Sequence, residues 1–255
     1  MTSTFNSKNQ DSFVKKIKTT LVAGLIIAAL FLVIGNGGNI IWFPPMVVFS
    51  LVGLTITIAI IYPFIWQNLE RRDRINSAKI YGILYVIIRY GIAMNLASFG
   101  WKKIFGLQFL VPEEIANQPM NKQTGEWLTW YYFGFSKTFG FLIALIQIIG
   151  SYLLLFRRTL LLGSVLLFAF MLNLTLINIF YHLNMGALLQ SVITTFGILF
   201  LISLEYSKIK LFLFTSNSNL PTITISKQIV KNCLRLSVIV ISLLFTIYLK
   251  TLLKK

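Results

Sequence analysis

Residues 159–181 read TLLLGSVLLFAFMLNLTLINIFY and contain no charged side chain. The run exceeds the roughly 18 apolar residues that a helix needs to cross the hydrocarbon core of a bilayer. Its polar residues are all uncharged, and they leave most of the helix surface apolar. The segment therefore predicts a transmembrane helix.

Six other apolar stretches approach this length, and the seven together predict an all-α, polytopic membrane bundle. The six cover residues 19–35, 45–66, 78–106, 128–156, 185–204 and 230–249. The composition agrees, with 56% hydrophobic, 15% aromatic and only 12% charged residues. A soluble domain of this length has too little interior to bury so much apolar surface. We interpret the first span as uncleaved, because no small-x-small cleavage site follows it.

The spans divide the chain into five predicted segments. These are a basic tail at 1–18, a two-helix hairpin at 19–68, a four-helix core at 76–205, a polar loop at 206–229 and a last helix at 230–255. The polar loop contains Ser, Thr and Asn around Pro221, and its simplest role is to connect two helices.

Basic residues outnumber acidic ones, with 23 Lys and Arg against 7 Asp and Glu and a formal net charge of +16. The positive-inside rule and contact with anionic headgroups explain this excess in a membrane protein, so we expect no nucleic-acid partner. The basic loops share a side with the amino terminus, which predicts a cytoplasmic amino terminus. They carry Arg71, Arg72, Arg74, Arg157, Arg158, Lys208, Lys210, Lys227 and Lys231. The carboxyl-terminal lysines break the rule if the last span crosses, which leaves that crossing open.

Cysteine and histidine limit the cofactors that this chain can hold. Cys233 is the only cysteine and His182 the only histidine. An intrachain disulfide or a CxxC pair is therefore impossible, and a zinc or haem site built from this chain alone is not expected. Any redox chemistry would come from a partner or a bound cofactor.

Ionisable residues inside the spans are candidate functional residues, because they are costly in hydrocarbon. Arg89 lies about ten residues into the third span, which predicts a position near the midplane of the bilayer. No acid lies within a span to neutralise it, so Arg89 either clamps helix carbonyls or binds an anionic ligand. Lys137 lies a turn or two inside the fourth span, where it either snorkels or serves the same ligand.

Further candidates are Lys103, Asn178 and His182, near the side opposite the amino terminus. Asn178 either joins neighbouring helices by hydrogen bonds or contributes to a site, and His182 is a candidate proton shuttle. On or near the outer face lie Lys102, Lys103, Glu113, Glu114, Glu126 and His182. With Arg89 and Lys137 beneath them, these residues predict an outward-opening polar funnel with a cationic floor. Such a funnel suits a small anion or a quinone carbonyl.

The chain resembles the DoxX and DoxX-like family of bacterial membrane proteins over residues 76–205. The resemblance rests on Arg89 followed by Gly100-x-x-Lys103 and Gly106, on the run from Gly150 through the Arg157-Arg158-Thr159 turn to Gly163, and on the segment MLNLTLINIFY. It implies an antiparallel four-helix core in the bacterial inner membrane. Arg89, Lys103, Arg157, Asn173 and Asn178 match polar positions that recur in the family, which supplies no motif of catalytic residues.

Three functions remain open. Some family members are subunits of thiosulfate-to-quinone oxidoreductases, and others are linked to complexes that handle oxidative or thiol stress. The resemblance therefore implies a membrane subunit of a redox assembly, with a redox protein as partner and a quinone or sulfur compound as a non-covalent ligand. A transporter of small molecules or lipids is the second possibility, against which we find no broken helix and no inverted repeat. The third is a membrane scaffold or assembly factor.

Overall fold

The computed structural model describes residues 12–35, 43–215 and 228–253, and within them it contains helices and no strand. The prediction of an all-α membrane bundle is thereby confirmed. The helices are α1 Phe13–Gly35, α2 Pro45–Arg71, α3 Ser77–Ile104, α4 Glu113–Ala116, α5 Gly125–Gly134, α6 Lys137–Leu154, α7 Leu160–Phe180, α8 Met185–Leu204, α9 Tyr206–Lys210 and α10 Gln228–Leu253. Seven of the described helices are long and apolar enough to cross a membrane, namely α1, α2, α3, α6, α7, α8 and α10.

The chain forms two compact units, residues 1–208 and residues 209–255. In the first unit, α3, α6, α7 and α8 pack in the order of the sequence, each antiparallel to the one before it. Helix α1 packs against α3 and α8, and α2 packs against α1. The second unit contains α10, whose described side chains are mostly exposed within that unit.

The core of the first unit lies where α3 meets α1, α6 and α8. Ile88, Ile92 and Leu96 are spaced along one face of α3 and are almost fully buried, together with Ile26 and Ile198. Such spacing places apolar side chains on a single stripe of a helix. Small residues let neighbouring helices approach closely, which is how membrane helices gain packing contacts.

Several chain segments meet at one end of this unit, which we call the basic end. The start of α1, the loop after α2, the turn between α6 and α7 and the end of α8 all lie there. The segment 105–136 and the turn between α7 and α8 lie at the opposite end. The geometry therefore groups the loops that carry Arg71, Arg72, Arg74, Arg157 and Arg158 at the end of the bundle where α1 begins.

The fourth predicted span is wrong as a single helix over 128–156. It is two helices, α5 and α6, separated at Phe135 and Ser136. The Ser136 side chain accepts a hydrogen bond from the backbone N–H of Phe139 at 3.3 Å, so it caps the start of α6. Helix α6 alone has 18 residues and a length of about 27 Å, enough to cross most of a hydrocarbon core.

Helix α1 begins at Phe13, six residues before the predicted start at residue 19, so the last part of the predicted tail 1–18 is helical. Other predictions fall outside the described residues: the basic tail over 1–11, the segment 36–42 after the first span, most of the polar loop at 216–227 and the final lysines at 254–255. In the described part of the predicted loop 206–229, residues 206–215 are helical.

Candidate functional site

Arg89 clamps the carboxyl end of helix α6. Its Nε donates to the Leu154 carbonyl at 3.1 Å and its Nη2 to the Leu155 carbonyl at 2.8 Å. The last carbonyls of a helix have no partner within the helix, and they form its negative end. The Thr159 hydroxyl satisfies the Leu153 carbonyl in the same way at 2.8 Å. Of the two interpretations of Arg89, this geometry favours the carbonyl clamp.

The predicted depth of Arg89 stays a prediction, because Arg89 is the thirteenth of the 28 residues of α3 and yet lies level with the end of α6. The guanidinium lies level with the end of α6, beside the turn that carries the exposed Arg157 and Arg158. Helix α3 has 28 residues and a length of about 42 Å, longer than the hydrocarbon core of roughly 30 Å. Its first turns extend beyond α6 at the basic end.

Lys103 lies at the opposite end of α3, about 21 Å along the helix from Arg89. Its Nζ donates to the Phe99 carbonyl at 3.3 Å and lies 5.5 Å from the centre of the Phe109 ring. No acid in the described part of the chain forms an ion pair with it. Lys103 therefore keeps further hydrogen-bonding capacity while it rests on aromatic faces.

Lys137 and His182 are exposed at the same end of the bundle. Lys137 is the first residue of α6, so its predicted position inside a continuous helix is wrong. His182 lies in the turn between α7 and α8 with a φ of 52°, the left-handed region in which His is more common than most residues. Within the described residues, no side-chain contact joins either of them to Arg89.

Asn178 connects α7 to α8. It is buried, and its Nδ2 donates to the Ala187 carbonyl at 3.0 Å. A hydroxyl pair, Thr175 and Thr195, lies deeper between the same helices with 2.9 Å between the two oxygens. Interhelical hydrogen bonds of this kind hold membrane bundles together.

The candidate residues do not form the predicted funnel. Arg89 lies at the basic end, whereas Lys103, Lys137 and His182 lie at the other end and Lys137 and His182 are exposed. The predicted cationic floor is therefore not beneath the predicted rim. The opposite end carries an aromatic layer instead. Trp130 and Phe133 of α5 pack there against Phe109, in the segment before that helix. Aromatic residues concentrate at membrane interfaces in this way.

A buried polar cluster at the basic end was not found from the sequence. Lys16 is fully buried, and its Nζ binds the Glu70 carboxylate and lies 2.5 Å from Gln67 Oε1. Ser77 donates to the other oxygen of Glu70 and accepts a hydrogen bond from the Trp66 indole at 2.9 Å. The cluster thus joins the start of α1, the end of α2 and the start of α3.

A signal for this cluster was present in the sequence. Lys16 lies one turn before Thr20 and two turns before Gly24, a stripe of buried and small residues on α1. A lysine in phase with such a stripe faces a neighbouring helix rather than solvent. Assigning residues 1–18 to a tail hides this relationship.

No protein-family model, curated protein or solved structure matches this chain. Its class therefore rests on its own features, which are seven described helices of spanning length and a bundle interior joined by interhelical polar contacts. The chain is an integral, multi-pass helical membrane protein whose surroundings are a lipid bilayer.

Proposed function

We propose that this chain is a membrane subunit of the DoxX-like type that docks a partner protein and performs no chemistry of its own. The observation that carries the proposal is the use of polar groups inside the bundle. Arg89 and Asn178, which could have lined a ligand site, bind carbonyls of neighbouring helices. Groups used in this way stabilise the bundle, as a subunit with an assembly role requires.

An exposed amide supports the docking role. Asn173 lies in the middle of α7, and its side chain faces outward from the first unit. An amide that faces lipid loses its hydrogen bonds with water, so a partner helix with a polar side chain would stabilise it. The DoxX-like resemblance suggests a redox protein as the source of that helix.

Affinity purification in mild detergent, followed by mass spectrometry of the co-purifying proteins, tests this proposal. We expect Asn173→Leu to lose a partner that the native chain and Asn173→Gln retain. Leu162→Ala, a change at an exposed position near the start of α7, is the matched control. An unchanged set of partners in Asn173→Leu would contradict docking through α7.

A quinone or an anionic sulfur compound is the second candidate, and Lys103 favours it. Its ammonium group rests on aromatic rings and makes one hydrogen bond in the described part of the chain, at the end opposite Arg89. The same purification, with analysis of extracted small molecules, compares Lys103→Gln with Lys137→Gln, which removes an exposed charge at that end. A compound lost only with Lys103→Gln supports the ligand, and equal content in both variants refutes it.

Transport has less support than docking. Although the fourth span is broken, the break lies at the end of the bundle, beside Phe109, and α6 alone still has 18 residues. Transporter sites built on broken helices lie near the bilayer midplane. Uptake of a solute into proteoliposomes would restore the transporter interpretation.

We further propose that the basic end faces the cytoplasm of a bacterial cell, because cytoplasmic loops are enriched in Lys and Arg. In a Cys233→Ser background, single cysteines at Gln118 and Arg158 report opposite ends of the bundle. We expect a thiol reagent that cannot cross the membrane to label the cysteine at 118 in intact cells and to leave the one at 158 unlabelled. The reverse pattern would invert the orientation.

A further inference from the structure

An open groove lies at the basic end, between the start of α1 and the end of α2. Its volume is about 390 Å³, and its wall is formed by Phe13, Phe64, Gln67, Asn68 and Arg71. All five residues belong to the first unit. None of them lies on α7 or takes part in the Arg89 clamp, so the groove is separate from the docking face proposed above.

The four groove residues of α2 lie on one face of that helix. Phe64, Gln67, Asn68 and Arg71 follow one another at intervals of one to four residues that return to the same side of the helix. At a rise of about 1.5 Å per residue, Arg71 lies about 10 Å along the axis from Phe64, with the two amides between them. The face therefore changes along the helix from charged to polar to aromatic.

The charged end of the groove is free to bind a ligand. Arg71 and Asn68 are exposed, and within residues 12–35, 43–215 and 228–253 no hydrogen bond, ion pair or ring contact occupies either side chain. Gln67 differs, because its Oε1 already accepts a hydrogen bond from the Lys16 ammonium group at 2.5 Å. The groove thus offers the guanidinium fork of Arg71 and the amide of Asn68.

The deeper end of the groove is aromatic. The Phe13 and Phe64 rings meet edge to face, with 5.2 Å between their centres. Phe64 nevertheless remains 60% exposed, so much of its ring is open to a ligand. Aromatic surface of this kind gains free energy when hydrocarbon covers it. A ligand that fits the whole groove therefore carries negative charge at one end and hydrocarbon at the other.

We propose that the groove binds an anionic phospholipid from the leaflet at the basic end. The phosphate lies at Arg71, an ester carbonyl accepts a hydrogen bond from the Asn68 amide, and the first carbons of an acyl chain lie against Phe13 and Phe64. Guanidinium groups bind phosphate through two parallel hydrogen bonds, and basic pockets at the ends of membrane helices bind anionic headgroups.

The length of the groove agrees with the depth profile of a bilayer. The headgroup layer on each side of the hydrocarbon core is roughly 5–7 Å thick. A step of about 10 Å from Arg71 to Phe64 therefore leads from the phosphates into the first part of the acyl chains. The two amides fall between these levels, at the depth of the glycerol esters.

Native mass spectrometry of the full chain, with added phosphatidylglycerol or phosphatidylcholine of identical acyl chains, tests the charged end of the groove. The native chain should bind its first phosphatidylglycerol more tightly than its first phosphatidylcholine. R71Q should weaken that phosphatidylglycerol binding roughly fivefold, the contribution of one basic residue near a membrane surface. The matched control is R158Q, which removes an exposed arginine from the α6–α7 turn at the same end and should leave binding within about twofold of the native chain.

A second pair of variants tests the aromatic end. Phe64→Ala keeps Arg71 and removes most of the open ring surface, so it should also lower phosphatidylglycerol binding. Phe49→Ala removes another exposed ring of α2, about four turns away, and should leave the binding unchanged. The helical circular dichroism should be the same in the native chain and in all four variants.

Three outcomes would overturn the proposal. The first is equal binding of the two lipids by the native chain. The second is an equal loss in R71Q and R158Q, or in Phe64→Ala and Phe49→Ala, because the lipid would then not be bound in this groove. The third is displacement of phosphatidylglycerol by millimolar inorganic phosphate, because the site would then take a soluble phosphate compound.

Discussion

The buried pair of Lys16 and Glu70 should be a main determinant of the stability of the first unit. The Lys16 side chain is fully buried and that of Glu70 is 16% exposed, so neither charge has more than slight access to water. Removing one partner of a buried ion pair leaves the other charge desolvated, at a cost of about 3–5 kcal/mol. Glu70→Gln leaves Lys16 with Gln67 at 2.5 Å, so we expect a loss near the lower end, about 3 kcal/mol.

Reversible unfolding in mixed micelles of increasing SDS content, followed by circular dichroism, measures this loss. Lys16→Met and Glu70→Gln are compared singly and together, because the double-mutant cycle isolates the interaction between them. We expect a coupling energy of about 1.5–3 kcal/mol, since the double variant buries no charge. The pair of Lys208 and Glu205 is the control: the Lys208 side chain is 69% exposed, and Lys208→Met should cost at most about 1 kcal/mol.

Two outcomes would refute this reasoning. Single variants no less stable than Lys208→Met would mean that water or rearranged side chains replace the lost partner. Additive single losses, with no coupling energy, would mean that Lys16 and Glu70 stabilise the helices independently. Either result would remove the ion pair as the contact that fastens α1 to α2.

Three further changes can be measured in the same unfolding assay. Arg89→Met should cost about 2–3 kcal/mol, because it removes charged hydrogen bonds to the end of α6. Arg89→Lys should recover only part of this stability, because an ammonium group lacks the guanidinium fork. Full recovery in Arg89→Lys would contradict the clamp. Gly150→Val should cost about 1–3 kcal/mol, because a Cβ there would lie 2.6 Å from Leu167 Cγ. Gly82→Val should be nearly neutral, because a Cβ at that position meets no neighbouring atom within 4 Å. Equal effects of the two variants would place the α6–α7 contact elsewhere. Ser136→Ala should cost about 0.5–2 kcal/mol through loss of the α6 cap, and an unchanged stability would mean that another group caps that helix.

The number of long helices followed from the sequence because hydrophobic length is a local property. Each span could be recognised without its neighbours, and all seven predicted spans correspond to described helices of spanning length. The break between α5 and α6 was missed because aromatic residues flank Ser136 on both sides and the apolar pattern resumes within three residues of it. Only its hydrogen bond to Phe139 identifies Ser136 as the start of a helix.

The candidate sites were harder to predict, because each depends on which face of a helix meets which neighbour. Arg89 was correctly singled out as costly in a membrane, but its partners are backbone carbonyls more than sixty residues away along the chain. Backbone carbonyls leave no signature in the sequence. The position of Lys16 was hidden for a related reason, since its partner Glu70 comes from another helix.

The sequence by itself determined the solvent, the helix content and the uneven distribution of charge, because the hydrophobic effect acts on each segment wherever it lies. The tertiary structure decided which charges are buried inside the protein and which are exposed. Lys15, Lys16 and Lys18 look alike in the sequence, yet the packing of α1 buries Lys16 against Glu70, places the Lys15 ammonium group 4.4 Å from the centre of the Tyr81 ring and leaves Lys18 exposed. The physical reason is that a turn of helix contains 3.6 residues, so adjacent lysines face different neighbours, and only the assembled bundle specifies what those neighbours are.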